Sequence, residues 1–175
     1  MPEWVWWFAI FALYGPAGLF GFAWLGWSGL PIVSGTTGLG AGLLLGAAIA
    51  GLTSLVSDRW PFREMEEALG ELTGPLSMPT AVGLAIASGV VEELVFRGVI
   101  QAWLGFWPAV IGFTLLHLPY ERTLWPWPLY AFVMGVGFGG LTVWTGDLGA
   151  AIAVHFTVNL MSLLRISARA ADARP

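Results

Sequence analysis

Residues 80–100 read TAVGLAIASGVVEELVFRGVI, an apolar run interrupted in its second half by Glu92, Glu93 and Arg97. About 20 predominantly apolar residues suffice to cross a hydrocarbon core of ~30 Å. Each ionised side chain at a helix centre costs about 2.5–3.5 kcal/mol on insertion scales, so three together need partners or a task. This stretch decides the fold. It reads as a membrane helix held inside a bundle, with its charged face turned away from lipid.

The rest of the chain agrees. Of 175 residues, 57% are hydrophobic and only 10% charged, where an ordinary soluble domain carries about 25% charged residues. The net charge of −4 and the lack of any basic stripe argue against a nucleic-acid surface. Cysteine is absent, which closes disulfide, thiolate-metal and cysteine-nucleophile chemistry. The opening MPEWVWWFAIFALYG has no basic leader and no small-residue cleavage site, so it is expected to be a retained first span.

Hydropathy places spans at about 5–27, 37–56, 80–100, 102–118, 128–145 and 148–164. The expected fold is therefore all-α, a polytopic bundle of about six transmembrane helices plus a short interfacial helix. Tryptophans support the ends: Trp4, Trp6 and Trp7 open the first span, Trp24 and Trp27 close it, and Trp144 ends the fifth. Indoles favour the headgroup level. Lysine is absent, and outside the buried Arg97 the arginines are Arg59, Arg63, Arg122, Arg165, Arg169 and Arg174. Six spans put all of these on one side, so the positive-inside rule expects both termini in the cytoplasm of a cell-membrane protein.

The organisation expected is two N-terminal spans with a linker (1–79), a four-helix core (80–165) and a cytoplasmic tail (166–175). The linker is the extended polar stretch. Phe62, Met65, Leu69 and Leu72 recur at helical spacing, Pro61 can start a helix and Gly74–Pro75 can stop it. A short helix on the membrane surface is expected there, able to cover a site below. Gly38, Gly42 and Gly46 make a smooth face for close helix packing. Gly135 to Gly140 spells GxGxxG, but no strand precedes it, so packing rather than nucleotide binding is expected.

Three motifs can carry chemistry. Glu93 and Arg97 are four apart and can pair on one helix face, whereas Glu92 turns about 100° away and stays free for another partner. Phe113 and His117 share a face at the end of the fourth span. His155 and Asn159 stack one turn apart in the sixth, where packing alone would return only ~0.6 kcal/mol per interhelical hydrogen bond. A carboxylate, two imidazoles and a carboxamide from three helices form a set that can activate water and stabilise an oxyanion. No serine stands in a nucleophile-elbow context, and no HExxH helix is present.

The order EExxxR, FxxxH, HxxxN on successive membrane helices resembles the CAAX prenyl endopeptidase family of the Ras-converting type, whose bacterial branch is called CAAX protease and bacteriocin-processing. The likeness covers about 80–164. It implies an intramembrane endopeptidase acting on a membrane-associated protein or peptide. In that likeness Glu92 is the water-activating base, His117 helps hold the water, His155 and Asn159 meet the oxyanion, and Glu93, Arg97 and Phe113 support them. The family is labelled both metallopeptidase and glutamate-type peptidase. A zinc site would draw on Glu92, His117 and His155, but would leave no separate acid as base unless Glu93 abandons Arg97, which favours the metal-free arrangement. The likeness does not carry a substrate with it. Rival readings are a membrane scaffold or bacteriocin self-immunity protein using the same cavity, and a proton-coupled transporter relaying through buried Glu and His.

Overall fold

A computed structural model describes residues 2–173, and these are helix and loop with no strand. Arg174, counted above for orientation, lies outside the described residues, as do Met1 and Pro175. Helix is what lipid demands, because every backbone N–H and C=O must find a partner within its own segment.

Helix α1 is Glu3–Ser28 and α2 is Thr36–Val56. Helix α3, Phe62–Thr73, is the expected linker helix, beginning after Pro61 and ending before Gly74. A continuous run made of Met78–Ile86, Ala87–Glu92, Leu94–Gln101 and Ala102–Leu104 forms α4. Then come α5, Phe106–Leu116, α6, Pro126–Thr145, and α7, Gly149–Asp172.

Among the described residues four helices are long and apolar enough to cross a membrane: α1, α2, α6 with its leading turn, and α7. By length and composition alone these four do not establish the expected count of six. Helix α4 carries the three ionisable residues and passes through two π-helical stretches, Ala87–Glu92 and Leu94–Gln101. Helix α5 is only 11 residues, about 16 Å at 1.5 Å per residue, half of what a bilayer asks. Its start explains the shortening. Gly105 sits at φ +96, a conformation that side chains oppose, and this break gives residues 102–104 to α4 rather than to the fourth span. Helix α7, by contrast, runs on past the expected boundary at 164 and carries the described part of the tail.

Both described ends of the chain gather at one end of the bundle. Glu3 accepts from the Ser77 backbone and hydroxyl at 2.5 and 2.9 Å, which ties the start of α1 to the start of α4. Arg169 of α7 reaches Asp58, beyond α2, at 2.7 Å. The loop arginines share this end, since Trp60 meets Trp125 with ring centroids 6.5 Å apart. At the opposite end buried Asp147 accepts from Ser34 and from the Gly149 N–H.

Lipid tails are as apolar as leucine, so helix association rests on close packing and interhelical hydrogen bonds rather than on hydrophobic burial. The glycine face of α2 meets this need. A Cβ at Gly42 would lie 2.7 Å from the Ala150 carbonyl oxygen, and one at Gly46 would lie 2.7 Å from the Thr157 Cβ. Helix α2 therefore lies backbone against backbone on α7. The glycines of α6 serve similarly: the Gly135 carbonyl accepts from Arg97 and the Gly139 carbonyl from Gln101. A core of Phe96, Phe113, Met134, Phe138, Val154 and Val158 fills the space between α4, α5, α6 and α7. Large exposed apolar side chains such as Leu19, Phe22, Leu44, Leu52, Leu55 and Trp144 coat the outside. A surface this apolar belongs in a bilayer, and the chain is an integral membrane protein.

Candidate active site

Helix α4 supplies the anchor. Glu93 is fully buried and Arg97 is 1% exposed. Arg97 Nη1 donates to Glu93 Oε1 at 3.1 Å, and Nη2 donates to the Gly135 carbonyl at 3.0 Å. The guanidinium lies 4.7, 5.3 and 5.9 Å from the ring centroids of Phe113, Phe138 and Phe96. Three negative ring faces thus replace part of the hydration that the cation has lost. The i,i+4 pairing expected from sequence is present. It has an unexpected third member, because His155 Nδ1 lies 2.8 Å from the same Glu93 oxygen.

That contact fixes the histidine. Glu93 already accepts from Arg97, so it accepts from His155 as well, and Nδ1 carries the proton. Phe138 stacks on the imidazole at 4.6 Å and 16°, while Phe113 meets its edge at 5.9 Å. The other nitrogen, Nε2, is thereby aimed at Glu92, with Oε2 at 3.9 Å. This Oε2 is buried and has no hydrogen-bond partner. The other oxygen, Oε1, accepts from the Tyr14 hydroxyl at 2.9 Å.

His117 caps the C-terminus of α5. Its Nδ1 is 2.8 Å from the Phe113 carbonyl oxygen, a group that can only accept, so Nδ1 carries a proton, and when the ring is neutral Nε2 is its acceptor. Phe113 and Trp127 hold the ring at 4.6 and 5.4 Å. Asn159 Nδ2 donates one hydrogen to Ser88 Oγ at 2.8 Å, leaving its second amide hydrogen for another acceptor.

Glu92, His117, His155 and Asn159 all line one cavity of about 450 Å³, together with Tyr14 and Ser88. The structure therefore brings the four sequence-predicted residues together. Glu92 has its neighbour in His155, and among the described residues no hydrogen bond or ion pair joins it to His117. Phe113 lines the same cavity. Glu93 and Arg97 stand behind it, holding His155. Helix α3 covers part of the cavity through Leu69, Leu72 and Thr73. It is clamped there by Glu66, which is 4% exposed and pairs with Arg165 at 2.7 Å and Arg169 at 3.5 Å.

Two members escaped the sequence reading. Tyr14 is a tyrosine in the middle of a span, away from the interfaces where tyrosines usually sit, and that misplacement is a usable signal. Ser88 precedes Glu92 by one turn on the same α4 face, a weaker signal. Among the described residues no group of three His, Cys, Asp or Glu side chains is close enough to hold an ion, so Glu92, His117 and His155 do not form a zinc site in this geometry.

Comparison with known proteins bears on the same residues. A curated protein from Bacillus subtilis (strain 168), described as uncharacterized protein YpbD, is 33% identical over 92 residues, covering 51% of this chain and 47% of that protein. The chain thus matches about half the length of this relative. No solved structure matches. Residues 74–161 match the family model described as type II CAAX prenyl endopeptidase Rce1-like. That interval contains Glu92, Glu93, Arg97, Phe113, His117, His155 and Asn159, the charged anchor and the cavity wall alike, and half of the chain lies within it. The chain belongs to the Rce1-like family of type II CAAX prenyl endopeptidases.

Proposed function

We propose that the protein is an intramembrane endopeptidase that hydrolyses a peptide bond of a membrane-associated protein or peptide. One observation carries the reading: a carboxylate with one unpartnered oxygen faces an oriented imidazole 3.9 Å away inside a cavity walled by apolar helices. A buried carboxylate with one oxygen left without a donor is costly, and a packing role gives it no return.

Glu92 Oε2 takes a proton from water, and His117 Nε2 accepts the second water hydrogen and holds the oxygen toward the scissile carbonyl. The water oxygen bonds to the carbonyl carbon while the carbonyl π pair moves to its oxygen. Asn159 offers its second amide hydrogen to that oxyanion. His155 can donate from Nε2 only once that nitrogen is protonated, because Nδ1–H is committed to Glu93. The proton on Glu92 reaches Nε2 across the 3.9 Å gap, and the imidazolium then meets the oxyanion. Collapse of the adduct breaks the C–N bond, and the same proton passes to the leaving amine. Glu93 and Arg97 orient His155 throughout.

In this reading α4 and the short α5 also lie within the bilayer thickness, completing six passes. Both termini and helix α3 face the cytoplasm of a cell membrane. The cavity opens beneath α3, where a substrate held at the membrane surface can enter.

The test is cleavage of a membrane-peptide library by the purified protein. Glu92→Gln should abolish cleavage while leaving a folded protein, and Asn159→Ala should slow turnover by about 10²–10³, as for other single oxyanion donors. Near wild-type cleavage by Glu92→Gln refutes the reading and leaves a scaffold that uses the same cavity without chemistry.

A further inference from the structure

Tyr14 lies outside the residues matched by the family model, in the N-terminal half of the first helix. We propose that Tyr14 is a positioning residue for Glu92. It holds Oε1 so that Oε2 is the oxygen presented to water and to His155. The proposal rests on the endopeptidase reading.

Four observations converge on it. The hydroxyl donates to Glu92 Oε1 at 2.9 Å, and both residues line the cavity. Each also closes a π-helical stretch, Ile10–Tyr14 on α1 and Ala87–Glu92 on α4. Such wide turns are rare and concentrate at functional sites, because they re-aim one side chain without ending the helix. On α1 the cause is visible in the sequence. Pro16 follows with no N–H to continue the α ladder, and the Gly15 N–H bonds to the Ile10 carbonyl instead.

Register supplies the third observation. Tyr14, Gly18, Gly21 and Leu25 fall on one face of α1, spaced four, three and four. A Cβ on Gly18 would lie 3.2 Å from Val91 Cγ2, and one on Gly21 would lie 2.9 Å from Leu94 Cβ. Leu25 in turn lies over Gly98, whose Cβ would sit 3.0 Å from Leu25 Cδ2. These notches seat α4 on α1 along a fixed, parallel register beside Glu92. Helical side chains lean toward their own N-terminus, so the Glu92 carboxylate reaches back along α4 toward the level of Tyr14.

The fourth is the outcome. A carboxylate on a flexible stem would rotate freely between its two oxygens. With Oε1 engaged, Oε2 is held facing His155 Nε2. The N-terminal helix, which supplies no group to the family's three motifs, thereby sets the geometry of the base.

The experiment uses the full chain. Tyr14→Phe removes one oxygen and keeps the ring, so the fold is preserved. The expected result is a fall in kcat of about 10-fold or more, the loss typical of one hydrogen bond to a charged group, with KM changed less than about twofold. In protein carrying ¹³C-carboxyl glutamate, the infrared carboxylate band that disappears in Glu92→Gln should also shift in Tyr14→Phe. An unchanged kcat in Tyr14→Phe beside an inactive Glu92→Gln overturns the positioning role and leaves the endopeptidase reading standing. A fall in kcat with an unshifted Glu92 band also overturns it, since a packing role alone would account for that. An active Glu92→Gln overturns the endopeptidase reading, and the positioning role with it.

Discussion

Replacing Arg97 by methionine tests the anchor behind the cavity more severely than any other single change. Arg97 is 1% exposed and Glu93 fully buried. The substitution keeps a long apolar stem but removes the 3.1 Å bond to Glu93 and the 3.0 Å bond to the Gly135 carbonyl. Glu93 then keeps a negative charge in a dry interior with His155 as its sole donor. Removing one partner of a buried pair costs about 3–5 kcal/mol, mostly because the other charge is left uncompensated. Against a total stability of about 5–15 kcal/mol that is a severe loss. The paired change Glu93→Leu with Arg97→Met removes both charges and should recover most of it, because apolar replacement of a buried pair is often close to neutral. Its catalytic effect runs the other way. Without Glu93 the His155 ring loses its orienting acceptor, and cleavage should fall by about 10²-fold, at the upper end for loss of such supporting partners. The assay is denaturant unfolding in detergent micelles beside peptide cleavage for the wild type, the single and the double variant. A single variant as stable as wild type, or a double variant no more stable than the single, would contradict the account of Glu93 as a charge compensated chiefly by Arg97.

Two further outcomes follow from the packing and the loops. Gly46→Val should destabilise by about 1–3 kcal/mol, because its Cβ would meet the Thr157 Cβ at 2.7 Å and the Val154 carbonyl at 3.0 Å. Gly51→Ala on the same helix meets nothing within 4 Å and should be neutral or stabilising, so equal midpoints for the two variants in thermal unfolding would discredit the close α2–α7 contact. Asp147 concerns acid stability. Burial alone would raise its pKa, but hydrogen bonds from the Ser34 hydroxyl and backbone and from the Gly149 N–H outweigh this and hold it below the ordinary aspartate value. A depressed pKa in the folded state contributes stability that is present above the unfolded value of about 3.9 and is lost as pH falls through the folded value. Asp147→Asn should therefore flatten that acid-side loss in pH-dependent unfolding, and an unchanged slope below pH ~4 would count against the assignment.

The sequence by itself determined that the chain is helical, that it belongs in a membrane, and which residues carry its charge. A bilayer forces backbone pairing inside each segment, so long apolar runs have one solution. Local spacing also determined the Glu93–Arg97 pair and the glycine face of α2, because both depend only on residues three or four apart on one helix. Tertiary structure decided the rest. The meeting of His155 with Glu93 spans 62 positions and that of Tyr14 with Glu92 spans 78. No periodicity encodes either distance. Helix α5 falls short of a full span through the break at Gly105, and α7 is longer than hydropathy alone suggests because its last turns are held by Glu66 and Asp58 rather than by lipid. Hydropathy measures preference for hydrocarbon, residue by residue. Which face of each helix turns inward, and at what depth, is set by the notches and hydrogen bonds that neighbouring helices offer one another.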